Sequence, residues 1–245
     1  TLKLFANSND SDFCCQPHPD FSPVGWHLGH IGVTEAYWIS QQCQGEVSLS
    51  EDYDQFFSPI ENPKTNRINL PKRSEILDYL RTAREKMLTV LERTDFPRSH
   101  PLLQEARIFR MLLQHEAQHQ ETITMILHLL AARQERLFKP SGSLNVEATT
   151  NGNGAPAADM VRVPAGSFVM GSHQVAETLD NERSQHEVYV EEFVIDRYPV
   201  TNAAFLQFIQ NGGYQERSYW SPEGWAWREK NRVEHPLYWR QQGNG

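Results

Sequence analysis

The sequence predicts an α+β protein in two parts. A helical bundle spans 1–138, a flexible linker 139–159, and a strand-bearing part 160–245. Three observations carry this. Before residue 138, three segments repeat apolar residues at helical spacing. The stretch KPSGSLNVEATTNGNGAPAAD is then rich in Gly, Ser, Asn and Ala and almost free of large apolar residues, as linkers are. After it come short alternating, β-branched runs, the pattern of strands.

Residues 1–21 read as polar and irregular, with TLKLF as the tail of a helix. Ser22-Pro23 looks like a helix start, a capping Ser followed by Pro at the first helical position. From Val24 to about Gln42, Trp26, His30, Val33 and Tyr37 share one stripe, and Gly29 leaves room for close packing beside His30. Residues 44–73 read as loop. A second helix runs from Ser74 to about Thr94, with Ile76, Leu77, Leu80, Ala83, Met87, Val90 and Leu91 as its apolar face. Ser99-His100-Pro101 is expected to open a third helix reaching about Arg136. Its inward stripe is Ile108, Leu112, His115, His119, Thr122, Ile126 and Leu129. In the second part, MVRVPAGSFVMGS and HEVYVEEFVIDRYPV predict strands. Thr201 to about Gln210 predicts a capped helix burying Ala204, Phe205 and Phe208, and the remainder reads as turn-rich and aromatic.

Composition narrows the function classes. A formal charge of −8 disfavours a chain that grips nucleic-acid phosphates. No stretch approaches the roughly 18–20 apolar residues that span a membrane, and no basic-then-apolar leader opens the chain, so a cytoplasmic setting is expected. Cys14, Cys15 and Cys43 have neither disulfide-framework nor CxxC spacing and read as free thiols. Both ends read as cut, since the chain starts at Thr1 and stops at Gly245 just after an aromatic-rich stretch.

The chemistry concentrates in His115-Glu116-Ala117-Gln118-His119. Histidines four apart on a helix stand one turn apart on one face. Both imidazoles can therefore reach one ion at ~2.0–2.1 Å. A third ligand must come from another segment, and Gly25-Trp26-His27-Leu28-Gly29-His30 offers His27 and His30. Spacing favours His30 only modestly, because residues three apart differ by only about 60° around a helix. The unchosen histidine would then hydrogen-bond to a ligand imidazole. Three neutral imidazoles with open positions suit Fe(II), Zn(II) or Cu(II) alike. HEAQH also satisfies HExxH, the metalloprotease pattern with Glu116 as base, but Thr122 and Met125 stand where the longer form needs Gly and a third His. Glu121 is a candidate for orienting a ligand imidazole, Gln118 for offering an amide to a substrate, and the basic loop Lys64, Arg67, Lys72, Arg73 for clamping a carboxylate.

The order SPVGWHLGHIGVTEAYW, NPKTNRINLP, HEAQHQET, VPAGSFVMGS, NERSQHEVYVEEFVIDRYPVTNAAFLQF and GGYQERSYWSPEGWAW resembles the iron-dependent sulfoxide synthases of ergothioneine biosynthesis. The resemblance runs from about residue 20 to the end. It implies an N-terminal DinB-like four-helix bundle and an incomplete C-type-lectin-like domain related to the formylglycine-generating enzyme. It implies Fe(II) on His30, His115 and His119, and so selects His30 over His27. It implies that Gln118 contacts a histidine betaine, hercynine, and that Lys64 and Arg67 bind the carboxylate of a cysteine-type thiol, with O2 as co-substrate and a sulfoxide as product. A Lys at 64, where an Arg is expected, leaves the sulfur donor open between γ-glutamylcysteine and cysteine. A related C–S or C–Se bond-forming enzyme with another donor or acceptor, a DinB-like metal-dependent thiol transferase, and a non-catalytic metal- or ligand-binding module are the alternatives. The resemblance also implies that the second domain continues beyond Gly245, where the family keeps its catalytic tyrosine.

Overall fold

A computed structural model describes residues 1–6, 8–97, 99–134, 160–174, 178–236 and 239. The expected linker 139–159 lies outside the described residues. The chain divides into two compact units. Among the described residues, one holds 1–134 with 171–185, and the other holds 160–170 with 186–239.

The first unit is helical. Leu2–Phe5 forms a single 3₁₀ turn, and α1 (Asp10–Cys14) is capped by the Asn9 side chain, which accepts from the Asp12 N–H. Segment 1–21 is thus not wholly irregular: Phe5 and Phe13 are buried and anchor it. Helix α2 (Val24–Ala36) continues as a wider π-helical turn over Tyr37–Cys43. Next come α3 (Glu51–Phe56), α4 (Arg73–Arg93) and α5 (Arg107–Gln134).

Helix α2 is the centre of the unit and packs on α1, α3, α4 and α5. It is buried on nearly every side rather than on one stripe. A helix buried on nearly every side, here with three glycines, belongs inside. Tyr37, expected inward, is exposed at the π turn. Gly25 and Gly29 are required by close approach, because a methyl would run into the Phe13 ring at one and the Phe57 ring at the other. Ser22 does not cap α2. Pro23 occupies that position, and the Ser22 hydroxyl accepts from Arg67 instead.

Helix α5 starts later than the Ser99-His100-Pro101 signal predicts. Glu105 and Ala106 have φ of 54° and 55°, which breaks the helix. Leu103 turns into a cluster with Ile39, Ile108, Phe109 and Leu112, and burying it sets the chain direction there. Further along, the buried positions are Ile123, Ile126 and Leu130, so Thr122 and Leu129 fall at the edge of the stripe. The main core joins Phe13, Trp26, Leu28, Ile31, Phe57, Ile76, Leu80, Ile123 and Ile126.

In the second unit, β1 (Met160–Val163) pairs antiparallel with β4 (Phe193–Asp196), and β2 (Gly166–Met170) with β3 (His186–Val190). Helix α6 (Asn202–Gln210) carries the predicted Thr201 cap, whose hydroxyl accepts from the Ala204 N–H at 3.2 Å. Of the three residues expected buried, Ala204 and Phe205 are half-buried and Phe208 is 38% exposed, lying beside Gly213 with Tyr214 and Tyr219 at its edges. Helix α7 (Pro222–Asn231) forms where turns were expected, opened by a capping Ser221 and Pro222. Among the described residues, no helix is long and apolar enough to cross a membrane.

Candidate metal centre

Two helices bring three imidazoles together. His115 and His119 stand one turn apart on α5, and His30 faces them from α2. His30 Nε2 lies 3.2 Å from His115 Nε2, and His119 Nε2 lies 3.0 Å from the same atom. One nitrogen from each residue falls within 4.8 Å of the other two. Two ligands ~2.1 Å from one ion are about 3.0 Å apart at a right angle and about 3.4 Å apart at the tetrahedral angle. Both spacings to His115 therefore suit donors to a single ion.

The protonation states fit as well. Burial holds His115 down to about pKa 4, with the neighbouring His30 adding to it. Burial also lowers His30, and lowers His119 to about 2 with help from His115, His27 and His30. All three rings are therefore neutral at pH 7, the form in which an imidazole offers a lone pair.

His30 is positioned from outside the cluster. Its Nδ1–H donates to the Phe57 carbonyl at 2.9 Å, which leaves Nε2 as the lone-pair nitrogen facing His115. The neighbouring Phe56 carbonyl accepts from Trp26 Nε1 at 3.3 Å. Both carbonyls lie at the end of α3, where backbone acceptors lack helical partners, so α3 clamps two residues of α2. The signal for α3 is in the sequence: Ser50 followed by Glu51, Asp52 and Asp54 is a helix start with acidic residues in its first turn. Reading 44–73 as loop missed it, and with it Phe57.

Trp26 stacks on His30, ring centroids 4.9 Å apart and planes 7° apart. The Arg67 guanidinium also lies over the indole, 3.9 Å from the ring centroid. Arg67 is only 6% exposed and donates to the Asn62 carbonyl at 2.8 Å, the Ser22 hydroxyl at 3.0 Å and the Pro59 carbonyl at 2.9 Å. Much of its hydrogen bonding thus fastens the 59–67 loop to the start of α2. Lys64 is exposed, its Nζ 2.6 Å from the Asp20 carbonyl. Gln118 and Glu121 are exposed on α5, and the polar contacts described for His30 and His119 outside the cluster come from Phe57 and His27 instead.

Glu116, the glutamate of the HExxH pattern, is committed elsewhere. Arg84 NH2 donates to it at 2.7 Å, and Arg84 Nε reaches Glu35 Oε2 at 2.9 Å. One guanidinium from α4 therefore ties α2 to α5. A carboxylate held this way is a poor candidate for the free base of a metalloprotease.

A helical bundle thus brings together three imidazoles that could hold one metal ion. Residues 1–123 match the DinB superfamily, and residues 146–242 match the sulfatase-modifying factor enzyme 1-like domain. The hercynine oxygenase of Mycolicibacterium smegmatis is 33% identical over 252 residues, covering 99% of this chain and 55% of that protein. The hercynine oxygenase of Mycobacterium tuberculosis is 32% identical over 255 residues, with the same coverage of 99% and 55%. The formylglycine-generating enzyme of Bos taurus is 36% identical over 63 residues, 26% of this chain and 17% of that protein. The chain thus spans about half the length of the curated hercynine oxygenases it matches. The chain belongs to the DinB superfamily and joins that domain to a sulfatase-modifying-factor-like one, a pairing that fits the ergothioneine sulfoxide synthase family.

Proposed function

We propose that this chain is the metal-bearing part of a non-haem Fe(II)- and O2-dependent sulfoxide synthase. The reaction joins the sulfur of a cysteine-type thiol to C2 of the hercynine imidazole. The convergence of His30, His115 and His119 carries the reading, and the kinship with hercynine oxygenases supports the substrate. The atoms balance without an external reductant. The thiol S–H and the imidazole C2–H are lost, one oxygen atom enters the sulfoxide, and the other leaves as water.

Iron held by the three histidines would supply O2 activation and a position for sulfur beside it. The chain's own residues set the stage for that. Positions on the ion that the three histidines leave open would take the substrates. The Phe57 carbonyl keeps the His30 proton on Nδ1, away from the cluster. Gln118, next to His119, would offer an amide to the betaine; of the two basic residues assigned to the thiol carboxylate, Lys64 is exposed, whereas Arg67 is buried and would act mainly by fixing the 59–67 loop against Trp26. Holding both substrates and O2 at one centre converts an encounter of three molecules into a local one.

The experiment is turnover by the full-length protein loaded with Fe(II) under argon. Hercynine is then supplied with γ-glutamylcysteine or with cysteine in air, O2 uptake is followed, and the sulfoxide is identified by mass. Coupled consumption of O2 and hercynine with sulfoxide formed supports the reading. Iron-loaded protein that turns over neither thiol, nor a selenol, contradicts it.

A further inference from the structure

Beyond the three histidines that face one another, a fourth is buried against them. His27 is 6% exposed, and its Nδ1 lies 2.8 Å from His119 Nδ1. Its other nitrogen, Nε2, is buried with no hydrogen-bond partner among the described residues.

A neutral imidazole carries one N–H and one lone pair. His119 turns its Nε2 toward His115 and His30. To offer a lone pair there, it must carry its proton on Nδ1. That N–H points at His27 Nδ1, which must then accept, so the His27 proton sits on Nε2. The unpartnered nitrogen follows from this order. An apolar side chain would fill the same space without burying an unpaired donor. Histidine at this position is explained by the bond that its other nitrogen makes.

We infer that His27 is a positioning residue for the metal centre, accepting from His119 Nδ1–H and so fixing the ring orientation and tautomer that aim Nε2 at the ion. It plays for His119 the part that the Phe57 carbonyl plays for His30. Hydrogen-bond partners of ligand imidazoles typically alter metal affinity by about 10–100-fold. The inference rests on the reading of His30, His115 and His119 as a metal site.

The test is a spectrophotometric Co(II) titration of the protein and four variants. His27→Asn keeps an acceptor oxygen near the Nδ1 position, whereas His27→Leu keeps bulk and removes the acceptor. His119→Ala and the double variant His27→Leu/His119→Ala complete a cycle. Circular dichroism and melting temperature of the metal-free proteins check that each one folds. The expected result is affinity about 10–100-fold weaker for His27→Leu and within about threefold of wild type for His27→Asn. In the His119→Ala background, His27→Leu should cost nothing further. Unchanged Co(II) affinity in a folded His27→Leu overturns the inference, as does an undiminished loss in the His119→Ala background. Wild-type protein that takes up no Co(II) overturns the metal site itself, and this inference with it.

Discussion

His30 is held from three directions: its Nδ1–H on the Phe57 carbonyl, its ring against Trp26, and its Nε2 toward His115. Replacing it with Ala should abolish measurable Fe(II) binding while the metal-free fold survives, read by equilibrium dialysis alongside circular dichroism. Gly29, like Gly25, is a position where the packing tolerates no side chain, because the Phe57 ring fills its space. Gly29→Ala should therefore lower stability by about 1–3 kcal/mol, the cost of overpacking a core, seen as a lower urea midpoint. At this scale the sequence is informative but incomplete. Helical spacing puts His115 and His119 together, and Gly29 beside His30 signals close approach. Periodicity does not separate His27 from His30, because α2 is buried nearly all round and has no polar face to break the tie. The structure brings His30 to His115 and sets His27 behind His119.

Among the elements, α2, α4 and α5 are linked by one ion cluster, Arg84 between Glu35 and Glu116. Removing one partner of such a group strands a buried carboxylate. Glu35 keeps only 4% of its side chain exposed, while Arg84 keeps 35%. Arg84→Met is expected to cost about 2–4 kcal/mol, discounted from a fully buried pair for that exposure, and to lower the thermal midpoint by several degrees. Ser50→Ala removes the cap of α3 and should cost about 1 kcal/mol by denaturant unfolding. Because α3 carries Phe57, it should also weaken metal binding, whereas a comparable surface change on α4 should not. The long helices are legible because their apolar repeats are long. Helices α3 and α7 are short, and their capping signals sit inside polar, Pro-bearing stretches that look like loop. The break at Glu105 and Ala106 stands beside the buried Leu103, whose tertiary contacts local spacing does not express.

For the whole molecule, folding and metal binding should be coupled. The three lone pairs converge only when α2 and α5 are docked, so an ion that binds the folded state alone adds stability by mass action. At a hundredfold excess over its dissociation constant that is about 2.7 kcal/mol. A chelator should return the melting temperature of the first unit to its metal-free value. The division into a helical and a strand-bearing part follows from the change of hydrophobic period, and the α+β class with it. What periodicity does not carry is the chemistry of the second unit, because among its described residues the strands are short and largely exposed.

The central claim is that His30, His115 and His119 hold one metal ion. The most direct measurement is anaerobic dialysis against Fe(II) followed by metal analysis of wild type and of the His30→Ala, His115→Ala and His119→Ala variants. One equivalent of iron per chain in the wild type, and sharply less retained by each folded variant, is the predicted result. Iron retained undiminished by any one of the three variants, or none taken up by the wild type, would contradict it.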